Sequence, residues 1–249
     1  MSRFIRAILF DLGGTLMFAR DPWLPIETRA DLVFAEKLRG QGVEIEQPEF
    51  AQTFRRRLKE YYIRREQNLF ETTYLSVAHE LLQEHGYPNL AEAVVRSALD
   101  ALFDVTQSNW VLESDALSTL KNLENSGYRM GLVSNAGDNQ DVVELAEKFR
   151  IERFFDFILT SAACSYRKPH PRIFELALAH WDIPVREIAM VGDTLEADIL
   201  GARNAGLFGI LITRRASPRA DELPRIQADL SLPALGEIPP ALHALRNQP

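Results

Sequence analysis

Apolar residues fall along this chain in two textures. Residues 5–10 form a short apolar run, broken only by Arg6, that leads straight into Asp11 and Gly13-Gly14. Such a run reads as a buried strand ending in a tight loop. From about 25 to 102 the apolar positions recur at spacings of three and four, as in Leu32, Ala35, Leu38 and then Phe50, Phe54, Leu58, Tyr61. That period predicts a bundle of helices, punctuated at Gly40-Gln41-Gly42, Pro48 and Gly86-Tyr87-Pro88. Beyond Asn109 helices and strands alternate. A helix over 115–124 stops at Gly127, a strand follows over 128–133, and Asp138 caps a helix running toward Phe149. Strand 155–159, a helix over 173–179 opened by Pro171, strand 187–191, helix 197–205 ended by Gly206, and strand 207–212 come next. A last strand at 228–232 and helix at 241–245 close the series, with 218–240 irregular and rich in proline.

Alternating βα units imply a parallel sheet covered on both faces. The expected architecture is therefore α/β: a Rossmann-like parallel-sheet core made of residues 1–16 and 107–249, interrupted by an α-helical cap over 17–106.

Composition narrows the partners. Of 249 residues, 46% are hydrophobic and 25% charged, enough to bury a core without disulfides or metal staples. The formal net charge of −7 disfavours an extended nucleic-acid interface, which needs a basic stripe, and a small ligand is expected instead. Cys164 is the single cysteine, so no intramolecular disulfide forms and the reducing cytoplasm is the expected location. The opening apolar run lacks the unbroken core and cleavage site of a signal peptide, and no segment reaches the length of a membrane span. The oligomeric state is not legible.

In open parallel sheets ligands bind beyond the carboxyl ends of the strands. Asp11, Ser134-Asn135 and Asp193 each follow a predicted strand, and Lys168 lies downstream of another. A carboxylate, a hydroxyl, a cation and a second carboxylate make up the set that phosphoryl transfer uses.

These residues sit in four ordered stretches: Ile8-Leu9-Phe10-Asp11-Leu12-Gly13-Gly14-Thr15, Val133-Ser134-Asn135, Arg167-Lys168-Pro169-His170-Pro171, and Val191-Gly192-Asp193-Thr194-Leu195-Glu196-Ala197-Asp198. In order and content the set resembles the four motifs of the haloacid dehalogenase superfamily, and the helical insertion lies where one branch of that family carries its cap. The resemblance implies a magnesium-dependent phosphatase acting on a small phosphorylated metabolite through an aspartyl-phosphate. It implies Asp11 as nucleophile, Ser134, Asn135 and Lys168 at the phosphoryl group, and magnesium held by Asp11, the Gly13 carbonyl and Asp193. Thr15 and Asp198 would orient these groups without touching the substrate.

The first motif of the family usually carries a second aspartate where Gly13 stands here. Glycine transfers no proton, so the acid–base contribution of that residue, roughly 10²–10⁴-fold, is missing. Two alternatives follow: a phosphonatase-like C–P hydrolase using a cap lysine, for which Lys37 and Lys59 are the candidates, or a weakly catalytic phosphate-ligand binder. A substitute acid is sought at Asp21 and in the cap. The basic runs Arg55-Arg56-Arg57-Leu58-Lys59 and Arg64-Arg65 are read as the solvated face of a helix, His170 as a turn residue and Cys164 as a packed loop residue.

Overall fold

The structure is a computed structural model that describes residues 4–215 and 226–246. Its strands are β1 (Ala7–Phe10), β2 (Met17–Ala19), β3 (Trp110–Leu112), β4 (Arg129–Ser134), β5 (Ile158–Thr160), β6 (Ile188–Gly192), β7 (Phe208–Ile212) and β8 (Leu230–Leu232). Six of them form one sheet in the order β5-β4-β1-β6-β7-β8, every neighbouring pair parallel. The chain runs outward from β1 through β4 to β5, then returns to its other side with β6. This reversal makes the carboxyl ends of the three central strands β4, β1 and β6 the place for a ligand.

Between β1 and β4 the chain builds helices α1 (Trp23–Gly40), α2 (Gln47–Asn68), α3 (Tyr74–Glu84) and α4 (Glu92–Gln107). They bury a core of their own, with Phe34, Phe50, Phe54, Leu58, Leu81 and Leu99 at its centre. The rings of Phe34 and Phe54 lie 4.6 Å apart. The buried stripe of α1 runs through Asp31, Phe34, Ala35 and Leu38, while Leu32 faces outward. Three of the helix ends fall where glycine and proline predict them. The break between α2 and α3 carries neither residue: Leu69 turns the chain at φ 59°, and Thr73 caps α3 by accepting the Ser76 N–H at 3.1 Å.

A two-stranded antiparallel ribbon, β2 with β3, lies where the chain leaves and re-enters the sheet region. Residues 17–19 were expected within the helical stretch. Their strand partner is more than 90 positions away in sequence, a pairing that local periodicity cannot register.

The remaining helices are α5 (Ala116–Asn125), α6 (Asn139–Lys148), α7 (Ser161–Cys164), α8 (Pro171–Leu178), α9 (Gly201–Asn204) and α10 (Ile238–Arg246). Ile8, Phe10, Leu132 and Val191 face α5, α6 and α10 in one apolar cluster. Ala7, Leu9, Val133 and Met190 join Ile173, Phe174 and Ala202 of α8 and α9 in another. Two-sided burial explains why these strands read as unbroken apolar runs. Strand β5 is shorter than expected because a helical turn, Glu152–Phe154, precedes it. Helix α10 starts earlier than expected: Pro239 and Pro240 fall in its first turn, where a missing N–H leaves no bond unmade. Of the irregular stretch 218–240, residues 218–225 lie outside the described residues. No described helix is long and apolar enough to cross a membrane.

Phe54 is fully buried among the helices. Phe54→Ala is expected to lower stability by about 3–5 kcal/mol, measured by urea denaturation.

Candidate active site

The site is built on β1, whose register with β4 on one side and β6 on the other brings three strand ends level. The Asp11 N–H donates to the Val191 carbonyl at 2.9 Å, so the main chain bearing Asp11 stays tied to β6. Lys168 arrives from the loop after α7. Its N–H donates to Asn135 Oδ1 at 2.8 Å while Asn135 Nδ2 donates to the Lys168 carbonyl at 3.0 Å. This two-point clamp fixes the lysine main chain against the end of β4.

Lys168 is almost fully buried, and its three ammonium protons have three acceptors: Asp11 Oδ1 at 2.6 Å, Asp198 Oδ1 at 2.7 Å and the Val133 carbonyl at 2.8 Å. Burial works against its charge, but Asp11 and Asp198 outweigh that and hold it above the ordinary lysine range. Thr15 Oγ1 lies 3.2 Å from Asp11 Oδ2 and 3.3 Å from Asp193 Oδ1. A hydroxyl has one proton, so it donates to one carboxylate at a time.

Two glycines make this proximity possible. Gly14 adopts φ +89°, and a Cβ there would stand 2.3 Å from Asp193 Oδ2. A Cβ on Gly192 would stand 2.2 Å from Asp198 Cγ. Asp198 sits in Leu195–Leu200, a π-helical segment that runs into α9, and its Oδ2 accepts the Thr194 N–H at 3.0 Å. The expected α-helix over 197–205 is thus wider at its start, in keeping with the occurrence of π-turns at functional sites.

Asp11, Asp193 and Asp198 each present an oxygen within 4.8 Å of the others. Three carboxylates therefore face a single ammonium. Burial, then Asp11 and Asp198, push Asp193 up to about 7. Burial, with Asp11 against it and Lys168 in its favour, leaves Asp198 at about 6. Close-set, partly desolvated oxygen donors with surplus negative charge are the donor set that suits a hard divalent cation such as magnesium. Gly13 lies exposed on the turn beside them.

Asp11, Lys168 and Asp198 form the floor of a cavity of about 560 Å³, which Gly13, Ser134 and Asn135 also line. Its wall beside Gly13 is aromatic. A Cβ on Gly13 would meet the Trp110 ring at 3.1 Å, and Trp110 packs edge-on against Trp23 of α1 at 5.0 Å. The opposite wall comes from α2 and α3, with Arg55, Tyr62, Arg65 and Tyr74. Arg55 and Arg65 thus correct the expectation of a wholly solvated basic face. Arg55 is held by Asp31 at 2.6 and 2.8 Å, a buried acid inside the α1 stripe that the apolar pattern does not reveal. Arg57 does stay outside, paired with Glu84.

Neither Lys37 nor Lys59 lines the cavity; both are exposed. Asp21 is exposed as well and pairs with Arg20. His170 caps α8 by accepting the Arg172 N–H, and the Cys164 thiol donates to the Tyr166 carbonyl. Glu71, which sequence reasoning missed, is buried and joins the helices to the core. It accepts from Ser161 Oγ at 2.5 Å and from Arg167, Tyr61 and Arg65. Around it the Glu71 N–H donates to the Ser165 carbonyl, the Arg167 N–H to the Leu69 carbonyl and the Tyr74 N–H to the Gly137 carbonyl.

A parallel sheet with carboxylates and a buried lysine at its central strand ends defines a class of hydrolases, and the sequence comparison places the chain within it. The family model for haloacid dehalogenase-like hydrolases matches residues 5–206, and the chain belongs to that family. It is 29% identical over 243 residues, 93% of this chain and 97% of the relative, to a ribulose-1,5-bisphosphate 5-phosphatase of Halopiger xanaduensis. It is 32% identical over 152 residues, 55% of this chain and 63% of the relative, to a glyceraldehyde 3-phosphate phosphatase of Pyrococcus abyssi. Its fold is shared with a 2-haloacid dehalogenase from Pseudomonas syringae, at a TM-score of 0.71 over 97% of this chain and 99% of that one, with 18% identity.

Asp141 on α6 also lines the cavity and is pushed up to about 7, by burial first and then by Asp138 and Glu144, against the Gln107 hydrogen bond at 3.0 Å. In the unfolded chain it titrates at the ordinary 3.8. Its folded pKa is raised, so its favourable contribution is complete below the unfolded value and is lost as pH rises through the folded one. Asp141→Asn keeps an acceptor for Gln107 and removes the charge. The melting-temperature advantage of this variant over wild type is expected to be absent near pH 4 and to grow to a few degrees near pH 7–8. An advantage that does not change with pH would show that Asp141 ionises freely in the folded protein.

Proposed function

We propose that this chain is a magnesium-dependent phosphatase of a small phosphorylated metabolite, with Asp11 as nucleophile and the helical stretch 17–106 as a cap over the site. The observation that carries the reading is the close-set cluster of Asp11, Asp193 and Asp198 with Lys168, of which Asp11, Asp198 and Lys168 line a cavity of small-metabolite size. Relatives named as phosphatases of a sugar bisphosphate and a triose phosphate support it.

An Asp11 carboxylate oxygen attacks phosphorus, a P–O bond forms to Asp11, and the bond to the leaving oxygen breaks. Lys168 gives Asp11 its orientation, since one of its protons is committed to Asp11 Oδ1, and it supplies positive charge where the phosphoryl oxygens gather. Ser134 and Asn135 line the same end of the cavity and would hold those oxygens. Magnesium would be held by Asp11, the Gly13 carbonyl and Asp193, and when bound it supplies Lewis-acid stabilisation of the phosphoryl charge. Asp198 and Thr15 would position Lys168 and the two neighbouring carboxylates through the hydrogen bonds already described. Water then attacks the aspartyl-phosphate, releasing inorganic phosphate and restoring Asp11.

No carboxylate stands at Gly13, and the Trp110 ring occupies the space beside it. The departing oxygen therefore takes its proton from water, and rates should fall steeply as leaving-group pKa rises, with aryl and acyl phosphates well ahead of alkyl ones. A shallow dependence, with chemistry rate-limiting, would show that another group acts as the acid. Gly13→Asp alone is expected to gain little, because its side chain must displace the indole. Gly13→Asp with Trp110→Ala should flatten the dependence.

Phosphate release from a panel of phosphomonoesters should require magnesium and fall at least about 100-fold in Asp193→Asn, as expected when one anionic ligand of a hard cation is lost. Full activity in excess chelator would overturn this reading. Phosphate-analogue binding with no turnover of any ester would favour the binder. The phosphonatase alternative places its amine at Lys37 or Lys59, and borohydride with a carbonyl-bearing phosphonate is expected to label neither.

A further inference from the structure

The cavity wall built by α2 and the loop before Lys168 shares its carboxylates unequally among its cations. Three guanidinium groups line it: Arg55 and Arg65 from α2, and Arg167 from the loop before Lys168. Arg55 is fully matched, by two bonds to Asp31 and by Glu27 at 3.1 Å. Arg65 and Arg167 have only Glu71 between them. Arg167 sits tightly on one Glu71 oxygen, while Arg65 reaches the other at 3.4 Å, and that oxygen already receives the Tyr61 hydroxyl.

Arg65 also lies over the Tyr62 ring, its Cζ 4.1 Å from the ring centroid. This cation–π contact holds the guanidinium by its face and leaves its N–H groups to a further partner. Its side chain is 21% exposed and that of Arg167 12%, so neither charge is solvated as a surface arginine would be. Burial acts against the charge of both. A partly dehydrated guanidinium without a full counter-charge, lining a ligand cavity, is a site for an oxyanion.

We propose that Arg65, with Arg167 beside it, binds a second oxyanion at the far end of the substrate, so that the preferred substrates are phosphomonoesters bearing a second phosphate or a carboxylate. This assignment rests on the phosphatase reading for the identity of the first group. Arg65 is the specificity-determining residue, because its carboxylate contact, 3.4 Å to a Glu71 oxygen shared with Tyr61, is the longest of the three. Glu71 holds the two arginines side by side, and the Tyr62 ring sets the angle at which the fork meets its ligand.

The test uses alkanediol monophosphates, the matching bisphosphates, and phosphoalkanoates of about two to six carbons, assayed on the full chain with magnesium. The ratio of kcat/KM for the dianchored ester to that for the singly charged one is the readout. At the best chain length it is expected to be about 10- to 100-fold in wild type, the scale of a charge-assisted bidentate contact. It should collapse toward one in Arg65→Met and be partly restored in Arg65→Lys. The bisphosphate and phosphoalkanoate arms tell phosphate from carboxylate at the second position. Calorimetry with alkane mono- and bisphosphonates, which are not hydrolysed, asks the same question of wild type without relying on turnover or on any variant folding. A ratio near one for every chain length, equal binding of the two phosphonates, or a ratio that survives Arg65→Met would overturn the subsite. Absence of hydrolysis with a preserved bisphosphonate preference would leave the subsite standing and defeat the phosphatase reading.

Discussion

One buried ammonium organises this molecule. Lys168 has three protons and three acceptors, two of them carboxylates that would otherwise repel each other within a dehydrated floor. Removing the ammonium would leave Asp11 and Asp198 as uncompensated buried charges, a strongly destabilising state. The surrounding architecture follows from holding that nitrogen in place. The Asn135 clamp fixes its main chain to β4, Gly192 allows Asp198 to close in, and the π-helical turn brings Asp198 onto the β6 side of the sheet.

The same lysine locates the helical insertion. Arg167, its neighbour, is gripped by Glu71, and the strand-like contact of residues 69–71 with 165–167 lies one residue from the ammonium-bearing position. Insertion and floor are thus registered through this loop, besides the bonds of Tyr74 to Gly137, Arg96 to Asp138 and Gln107 to Asp141. A shift of the α2–α3 connection would be felt at Lys168 through one peptide unit rather than through a long relay. Charge is shared differently on two sides of the cavity. The floor sets three carboxylates against one ammonium, while the wall of α2 and the loop before Lys168 sets three guanidinium groups against Glu27, Asp31 and Glu71, two of these acids being taken by Arg55.

Much of this was legible in the residues. The two-sided apolar runs of β1, β6 and β7 announce a covered parallel sheet, and Asp11, Ser134 and Asp193 fall at its strand ends, where open parallel sheets place their ligands, while Lys168 reaches them from the loop after α7. Asp198 and Thr15 were legible only through the motif order that marks the family. What stayed hidden has physical reasons. Glu71 lies in a turn with no glycine or proline, entered through a left-handed Leu69, so nothing local separates α2 from α3. Asp31 sits within an apolar stripe, where a single acid looks like noise until Arg55, twenty-four positions on, is seen to bond it. The β2–β3 ribbon depends on a pairing across the entire insertion. Arg55 and Arg65 share their helix with exposed arginines of the same composition, and only packing separates those that face the cavity from those that face water.

Trp110 lies where the β2–β3 ribbon, the first turn after β1 and α1 meet. It stands on β3 opposite Ala19, closes over Gly13, and meets Trp23 at the start of α1. A Cβ at position 13 would press on the indole at 3.1 Å, and the indole comes from the ribbon that carries the chain into and out of the helical insertion. With glycine at position 13, the wall beside the floor is the Trp110 indole, held by the β2–β3 ribbon and by Trp23. With no carboxylate at position 13, the side chains gathered at this floor are arranged for charge placement more than for proton transfer. That arrangement explains why the structure commits so many main-chain and side-chain bonds to one lysine.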